Sequence, residues 1–302
     1  MREIPWTVVR GFFMGSADIV PGVSGGTVAL VFGVYQRLIT AIRAGSKALG
    51  RFVRFDGAAG AAWLARVEWL FLVPLVAGIG LAVLLLAGPL EALLRERPIE
   101  MSALFLGLVA GSVVVAWKLL RTRDALRMSI LLATGGVVFA SLGLRGGTSE
   151  DSVGQLDEAA LWAFFLAGGL AICAMILPGI SGSFILVLLG MYGPVLAAVN
   201  DRDLGTVAVF LVGAVIGLAL FSQLLYWALA EHYDSVMAAL IGLMLGSLRV
   251  LWPWPNGVGS TAIGAPDEAV AVSVAIALIA FVTVIAIDVF ARRSERATAP
   301  IQ

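Results

Sequence analysis

The string Gly11-Phe-Phe-Met-Gly-Ser-Ala-Asp18-Ile-Val-Pro21-Gly-Val-Ser24-Gly-Gly-Thr27, with the apolar run that follows it to Tyr35, decides the fold because it occurs twice. A shift of 157 positions lays Pro21-Gly22-Val23-Ser24-Gly25-Gly26 on Pro178-Gly179-Ile180-Ser181-Gly182-Ser183. The same shift pairs Gly11 with Gly168, Ala17 with Ala174, Ile19 with Ile176, Gly33 with Gly190 and Tyr35 with Tyr192. Inside an apolar run, a Pro-Gly break frees backbone N–H and C=O groups that a bilayer cannot hydrate. One such break reads as a kink. The same break in both halves points to a use.

The rest of the chain supplies the membrane context. Of its 302 residues 60% are hydrophobic and 13% charged, and the mean hydropathy is +1.00. A soluble domain of this size needs far more charge at its surface. Outside the repeated strings, further segments are long and apolar enough to span about 30 Å of hydrocarbon. A net charge of zero gives no basic field for nucleic acid. The lone Cys173 excludes an intrachain disulfide, and no Cys/His cluster has metal-ligand spacing, so neither metal nor cofactor is expected. The apolar run starts at once and itself contains the motif, unlike a cleavable signal.

The expected fold is an all-α polytopic membrane protein built as an inverted repeat. The first half, 1–150, holds a re-entrant helical hairpin over 5–43 and helices over 69–90, 101–120 and 127–144. The second, 151–302, holds a hairpin over 161–199 and helices over 205–230, 235–252 and 268–291. A helix from Pro5 to Ile19 spans about 22 Å, short of the core thickness, so two short arms around a glycine-rich turn enter and leave on one side. Pro21, Gly22, Pro178 and Gly179 form the turns. Beyond the hairpins, Gly80-Leu81-Ala82 matches Gly217-Leu218-Ala219 at an offset of 137, and Gly107, Gly111-Ser112 and Trp117 match Gly242, Gly246-Ser247 and Trp252 at 135. Glycines at these spacings are read as helix-packing faces.

Loop charge sets the orientation. In the stretch from Gln36 to Glu68, read as a loop, Arg37, Arg43, Lys47, Arg51, Arg54 and Arg66 outweigh Asp56 and Glu68. Lys118, Arg121, Arg123 and Arg127 face only Asp124 in a later loop, whereas Glu150, Asp151, Asp157 and Glu158 dominate the loop after residue 145. By the positive-inside rule the basic loops are cytoplasmic. If each hairpin returns to its own side, each half crosses three times, the second half is upside down, and Arg292, Arg293 and Arg296 fall inside with both termini. If each motif segment crossed instead, those arginines would lie outside. Asp288 and Arg249 are expected near helix ends, at the interface.

In each hairpin the second arm starts just after the Ser-Gly turn. A helix N-terminus offers unpaired N–H groups and a partial positive charge, which suit a phosphate. Gly25, Gly26 and Gly182 allow close approach, and Ser24, Thr27, Ser181 and Ser183 add hydroxyl donors. With the halves inverted, the two N-termini point at one another from opposite leaflets and form one phosphate-sized site. The alternative is structural: the prolines shape hairpins and the serines cap helices. Arg10 either contacts the anion or reaches the headgroups. Asp18, whose counterpart is Met175, either pairs with Arg10, organises the first hairpin through backbone N–H groups, or couples to a proton or sodium ion. Gly22-Val23-Ser24-Gly25 and Gly179-Ile180-Ser181-Gly182 also match the Gly-x-Ser-Gly of intramembrane serine hydrolases. A serine nucleophile needs a base, and the one histidine, His232, cannot serve two symmetric serines. No catalytic residues are assigned.

The string from Gly11 to Tyr35, with Met175-Ile-Leu-Pro-Gly-Ile-Ser-Gly-Ser183, resembles the PopT-type polyprenyl-phosphate transporter family of prokaryotes, over essentially the whole chain. The resemblance implies a flippase of the cytoplasmic membrane that moves undecaprenyl phosphate, or a related polyprenyl phosphate lipid, for reuse in envelope synthesis. A transporter or channel for a soluble anion such as phosphate is the second reading, and an intramembrane hydrolase the third.

Overall fold

The computed structural model describes residues 3–20, 23–144, 159–257, 260–267 and 269–298, the stretch 291–298 in backbone only. The described residues are helical and contain no strand. Six helices are long and apolar enough to cross a membrane: α5 (Trp69–Glu96), α6 (Pro98–Leu119), α7 (Ala125–Gly143), α11 (Leu204–Glu231), α12 (Tyr233–Ser247, extended by a 3-10 turn over Leu248–Leu251) and α13 (Val270–Thr298). The multi-pass membrane character read from the sequence therefore stands. Sequence chemistry marks several starts. Pro98 opens α6 where its missing N–H costs nothing. Asp124 caps α7 through Arg127 N–H, and Asp203 caps α11 through Thr206. The Thr206 hydroxyl and N–H hold the Asp203 carboxyl below its usual range.

The motif regions differ from simple two-armed hairpins. The first arm is α1 (Glu3–Asp18), and the second arm α2 (Gly25–Val31) is only seven residues, about 10 Å long. A second turn at Phe32–Val34, with Gly33 at φ +68°, then starts α3 (Tyr35–Val53). The second half copies this: α8 (Leu161–Ile176), α9 (Gly182–Leu188), a turn with Gly190 at φ +69°, and α10 (Tyr192–Asn200), bent 109° from α9. The repeated Gly33 and Gly190 thus mark a left-handed turn that only glycine adopts without strain. The stretch 36–68, read as a loop, is mostly helical, with α3 followed by α4 (Gly57–Leu64). Pro21 and Gly22 lie outside the described residues, as do the acidic stretch 145–158 and the side chains of Arg292, Arg293 and Arg296.

Helix partners repeat as faithfully as the sequence. Helix α1 packs on α5 where a Cβ on Gly11 would strike the Leu75 carbonyl and one on Gly78 the Val8 carbonyl. Helix α8 packs on α11 where Gly168 meets Phe210 O and Gly213 meets Phe165 O. These pairs correspond at offsets of 157 and 135. The contact register in α5 and α11 is therefore 135, not the 137 that Gly80 and Gly217 indicate. A Cβ on Gly80 would meet nothing within 4 Å outside its own helix backbone, whereas one on Gly217 would lie 2.6 Å from Gly169 Cα.

The halves also exchange helices. Gly107 and Gly111 of α6 bring it onto Ala277, Phe281 and Val284 of α13, and Gly242 and Gly246 of α12 bring it onto Leu131, Gly135 and Val138 of α7. A constant offset of 146 relates α7 to α13 in these contacts. The exchanged pair α6 and α12 forms the centre: 61% and 56% of their apolar windows are buried, against 22% or less for the other four spans. Arg121 N–H, beyond the end of α6, donates to Asp234 Oδ1 at the start of α12 (2.8 Å), while Gly257, beyond the end of α12, abuts Pro98 and Ile99. Helices α6 and α12 therefore run antiparallel.

Candidate functional site

The two breaks meet in the interior. Ser24 caps α2 by accepting Gly26 N–H (3.1 Å), and its hydroxyl donates across the repeat to the Met175 carbonyl (3.1 Å). In return Gly179 N–H donates to Thr27 Oγ1 (3.0 Å). Gly26 has no room for a side chain, since a Cβ there would lie 2.6 Å from Ile176 O. Ser24, Gly25, Gly26 and Thr27 are buried, so their polar groups need partners, and the Ser24 and Thr27 side chains find theirs in the other break. The two motifs meet through the contacts between residues 24–27 and 175–179. Those hydroxyls, however, are already committed to holding the breaks together.

The ends differ because Asp18 and Met175 differ. The Asp18 carboxylate accepts Gly25 N–H at 2.6 Å and stands where an external anion would sit on the start of α2. It does not pair with Arg10, which stands eight residues away on α1, about 12 Å along the axis. At the equivalent place in the second half, the Met175 side chain lies over Gly182, where a Cβ would be 2.5 Å from Met175 Cγ. Ser181, buried, caps nothing with its side chain; its hydroxyl bonds to that of exposed Ser183 (2.8 Å). Gly179 occupies the left-handed region at φ +85° and packs against the Met244 backbone. One helix start is thus held by the chain's own carboxylate, and the other carries a serine pair with no carboxylate.

Two clefts flank the paired breaks. One, about 200 Å³, is lined by Gly179, Ile180, Ser181, Phe184, Ser141 and Ser247. The other, about 240 Å³, includes Val23, Thr27, Val28, Ser112, Val284 and Ile287. They are images of one another: Ile180 answers to Val23, Phe184 to Thr27, Ser247 to Ser112, Ser141 to Ile287. Each is walled by one half's break and by an exchanged helix. Sequence reading missed the serines at 112 and 247, although the repeated Gly-Ser pairs displayed them.

Other charged groups lie elsewhere. Asp288 is 4% exposed and takes an ion pair from Lys118 at 3.0 Å, joining α13 to α6. Arg249 donates to Thr261 O and stacks over Phe139. His232 sits at the junction of α11 and α12 against Trp227. The hydrogen bonds of Ser24 and Ser181 reach a carbonyl, a backbone N–H and another serine. Among the described residues no group of three His, Cys, Asp or Glu could hold a metal.

Residues 14–264 match the profile of the undecaprenyl phosphate translocase-like (VCA0040-like) family. The chain belongs to this family. The match takes in both breaks and five of the six spans in full. A relative from Vibrio cholerae serotype O1, called a polyprenyl-phosphate transporter, is 41% identical over 249 residues, covering 82% of this chain and 77% of its own. Another of that name, from Staphylococcus aureus, is 28% identical over 264 residues, covering 84% of this chain and 88% of its own. No solved structure matches the chain.

Proposed function

We propose that this protein is a flippase for polyprenyl phosphate, such as undecaprenyl phosphate, working by alternating access at the paired breaks. The observation that carries the reading is the asymmetry of two interlocked helix starts, one occupied by Asp18 and one presenting Ser181 and Ser183. Membership of a translocase-like family and the names of the two relatives support the same substrate. In this reading the phosphate engages Ser181, Gly182 and Ser183 first. It then draws on Ser24, Gly25, Gly26 and Thr27 as the breaks part and Asp18 leaves Gly25 N–H. Asp18 is the group that couples this exchange, to a proton or sodium ion, and Arg10 balances charge nearer the membrane surface. The isoprenoid chain stays in the bilayer, reached through the apolar mouths of the two clefts.

The architecture we infer is an inverted repeat, 1–150 and 151–302, with re-entrant hairpins. Antiparallel packing of the equivalent helices α6 and α12 supports the inversion. Re-entry is supported by Arg37 at the start of α3, which meets both Glu3 at the start of α1 (3.7 Å) and Glu68 just before α5 (2.6 Å). The chain that leaves along α1 has returned to its starting level. The basic residues at that end support a cytoplasmic position for it and for both termini, in the inner membrane. The test is leaflet exchange of polyprenyl phosphate in liposomes containing the purified protein, with inorganic phosphate as competitor. Exchange that Gly25→Val abolishes supports the reading. Phosphate uptake without lipid exchange would replace it with a soluble-anion transporter.

A further inference from the structure

The segment between the first hairpin and α5 carries features that the transport site does not use. Helix α3 crosses the end of α11, where Ser46 and Ser222 hydroxyls meet (3.2 Å) and the Arg43 guanidinium lies 3.6 Å from the centre of the Tyr226 ring. One turn on, Lys47 stacks over Trp63 of α4 at 4.4 Å, and Arg66 stacks over the same ring at 4.5 Å. Arg43, Lys47 and Arg51 follow at intervals of four and so line one stripe of the helix. Arg51 is matched by Asp56 and Arg37 by Glu68, but Arg43, Lys47 and Arg66 have no carboxylate partner among the described residues. The Arg43 Nε is buried without a hydrogen bond. Burial, and then the like charges of Arg43, Arg51 and Arg66, push the Lys47 ammonium below its usual range. Three cations held together by aromatic rings lack an anion.

Beside them the helix ends in an apolar prow. Leu49, Phe52 and Val53 are exposed, and Phe55 is 98% exposed. Phe55 also holds φ at +58°, a conformation in which glycine normally ends a helix. A bulky aromatic in that position, turned fully outward, gains nothing from the protein itself. It makes sense against a second apolar phase.

We propose that α3 and α4 form an interfacial platform that binds the headgroups of anionic phospholipids in the leaflet it faces, with Arg43, Lys47 and Arg66 on the phosphate and Phe55 anchored among the acyl chains. Amphipathic surface helices combine these elements, each basic residue adding electrostatic attraction to an anionic surface. The platform is separate from the paired breaks, and it holds whatever the protein carries.

The full-length protein in nanodiscs of phosphatidylcholine mixed with phosphatidylglycerol is released into the gas phase, and the retained phospholipids are weighed by native mass spectrometry. Phosphatidylglycerol should be retained in preference. The double variant Lys47→Gln/Arg66→Gln should lose roughly thirtyfold in that preference, at the free energy expected for two basic groups near a charged surface. Arg95→Gln, which removes a charge from the surface pair with Glu91, should leave it unchanged. A double variant that keeps the wild-type preference would overturn the proposal. So would release of the lipid by inorganic phosphate, which would make the patch a site for a free anion. In a Cys173→Ala background, a spin label on Phe55→Cys should be reached by oxygen dissolved in the bilayer rather than by a water-soluble relaxation agent. The reverse would also overturn the proposal.

Discussion

Replacing Thr27 by valine tests the interlock between the breaks. The substitution keeps the shape of a side chain that is 2% exposed, and removes only the oxygen that accepts Gly179 N–H at 3.0 Å. That N–H lies between helices, in a turn at φ +85°, so no helical carbonyl can take it over. An orphaned buried donor costs about 1–3 kcal/mol. Hydrogen bonds between helices in membranes average nearer about 0.6 kcal/mol, because the unfolded chain in the bilayer finds other partners. A backbone donor in a broken segment has fewer such partners, so we expect about 1–2 kcal/mol, within the range set by those two figures. The assay is reversible unfolding in mixed micelles, with Thr27→Ser as the control that keeps the oxygen. If Thr27→Val unfolds with the wild type, within about 0.5 kcal/mol, the two breaks are not tied as described.

Further expectations follow from other contacts. Gly217→Ala should lower thermal stability by about 1–3 kcal/mol because its Cβ meets Gly169, whereas Gly80→Ala, its sequence match, should be neutral or slightly stabilising; equal effects would refute the contact register. Asp18→Asn should raise the affinity for polyprenyl phosphate about fivefold in a lipid-binding titration, since a neutral amide competes less well for Gly25 N–H than a carboxylate. Unchanged or weaker binding would remove Asp18 from the exchange. Lys118→Met should destabilise by about 1–3 kcal/mol, less than for a fully buried pair because the Lys118 side chain is 38% exposed. Adding Asp288→Leu should restore most of that stability, and a double variant worse than the single would contradict a simple ion pair.

Much of the fold was legible because it depends on signals that sequence carries locally. Apolar length set the six spans, with ends mostly within a few residues, and the Pro-Gly-x-Ser-Gly strings located the breaks. The second turn was written in Gly33 and Gly190, but an uninterrupted apolar run hides a break whose only requirement is a positive φ. Helix α4 was missed for a related reason: eight residues of mostly alanine and glycine between basic stretches look like a loop. The register of α5 against α11 was misread by two because identical residues at Gly80 and Gly217 outweighed the contacts that Gly78 and Gly213 make. In the site, residues were legible and their partners were not. That Ser24 bonds to residue 175 and Thr27 to residue 179 depends on how two distant segments dock, and no spacing encodes it. The difference between Asp18 and Met175 was visible, whereas its consequence, one helix start filled and the other not, emerged only with the Gly25 and Gly182 contacts in hand. The ion pair of Asp288 with Lys118 was likewise invisible, because a position on one helix does not reveal the helix that covers it.

The measurement that tests the central claim most directly is a structure of the full-length protein determined with a short-chain polyprenyl phosphate bound. The phosphate should lie at the paired breaks, within hydrogen-bond reach of Ser181 and Ser183 and of Gly25 N–H, with the Asp18 carboxylate withdrawn from Gly25. A phosphate bound elsewhere, with Asp18 still on Gly25 N–H and the contacts of Ser24 and Thr27 intact, would contradict it.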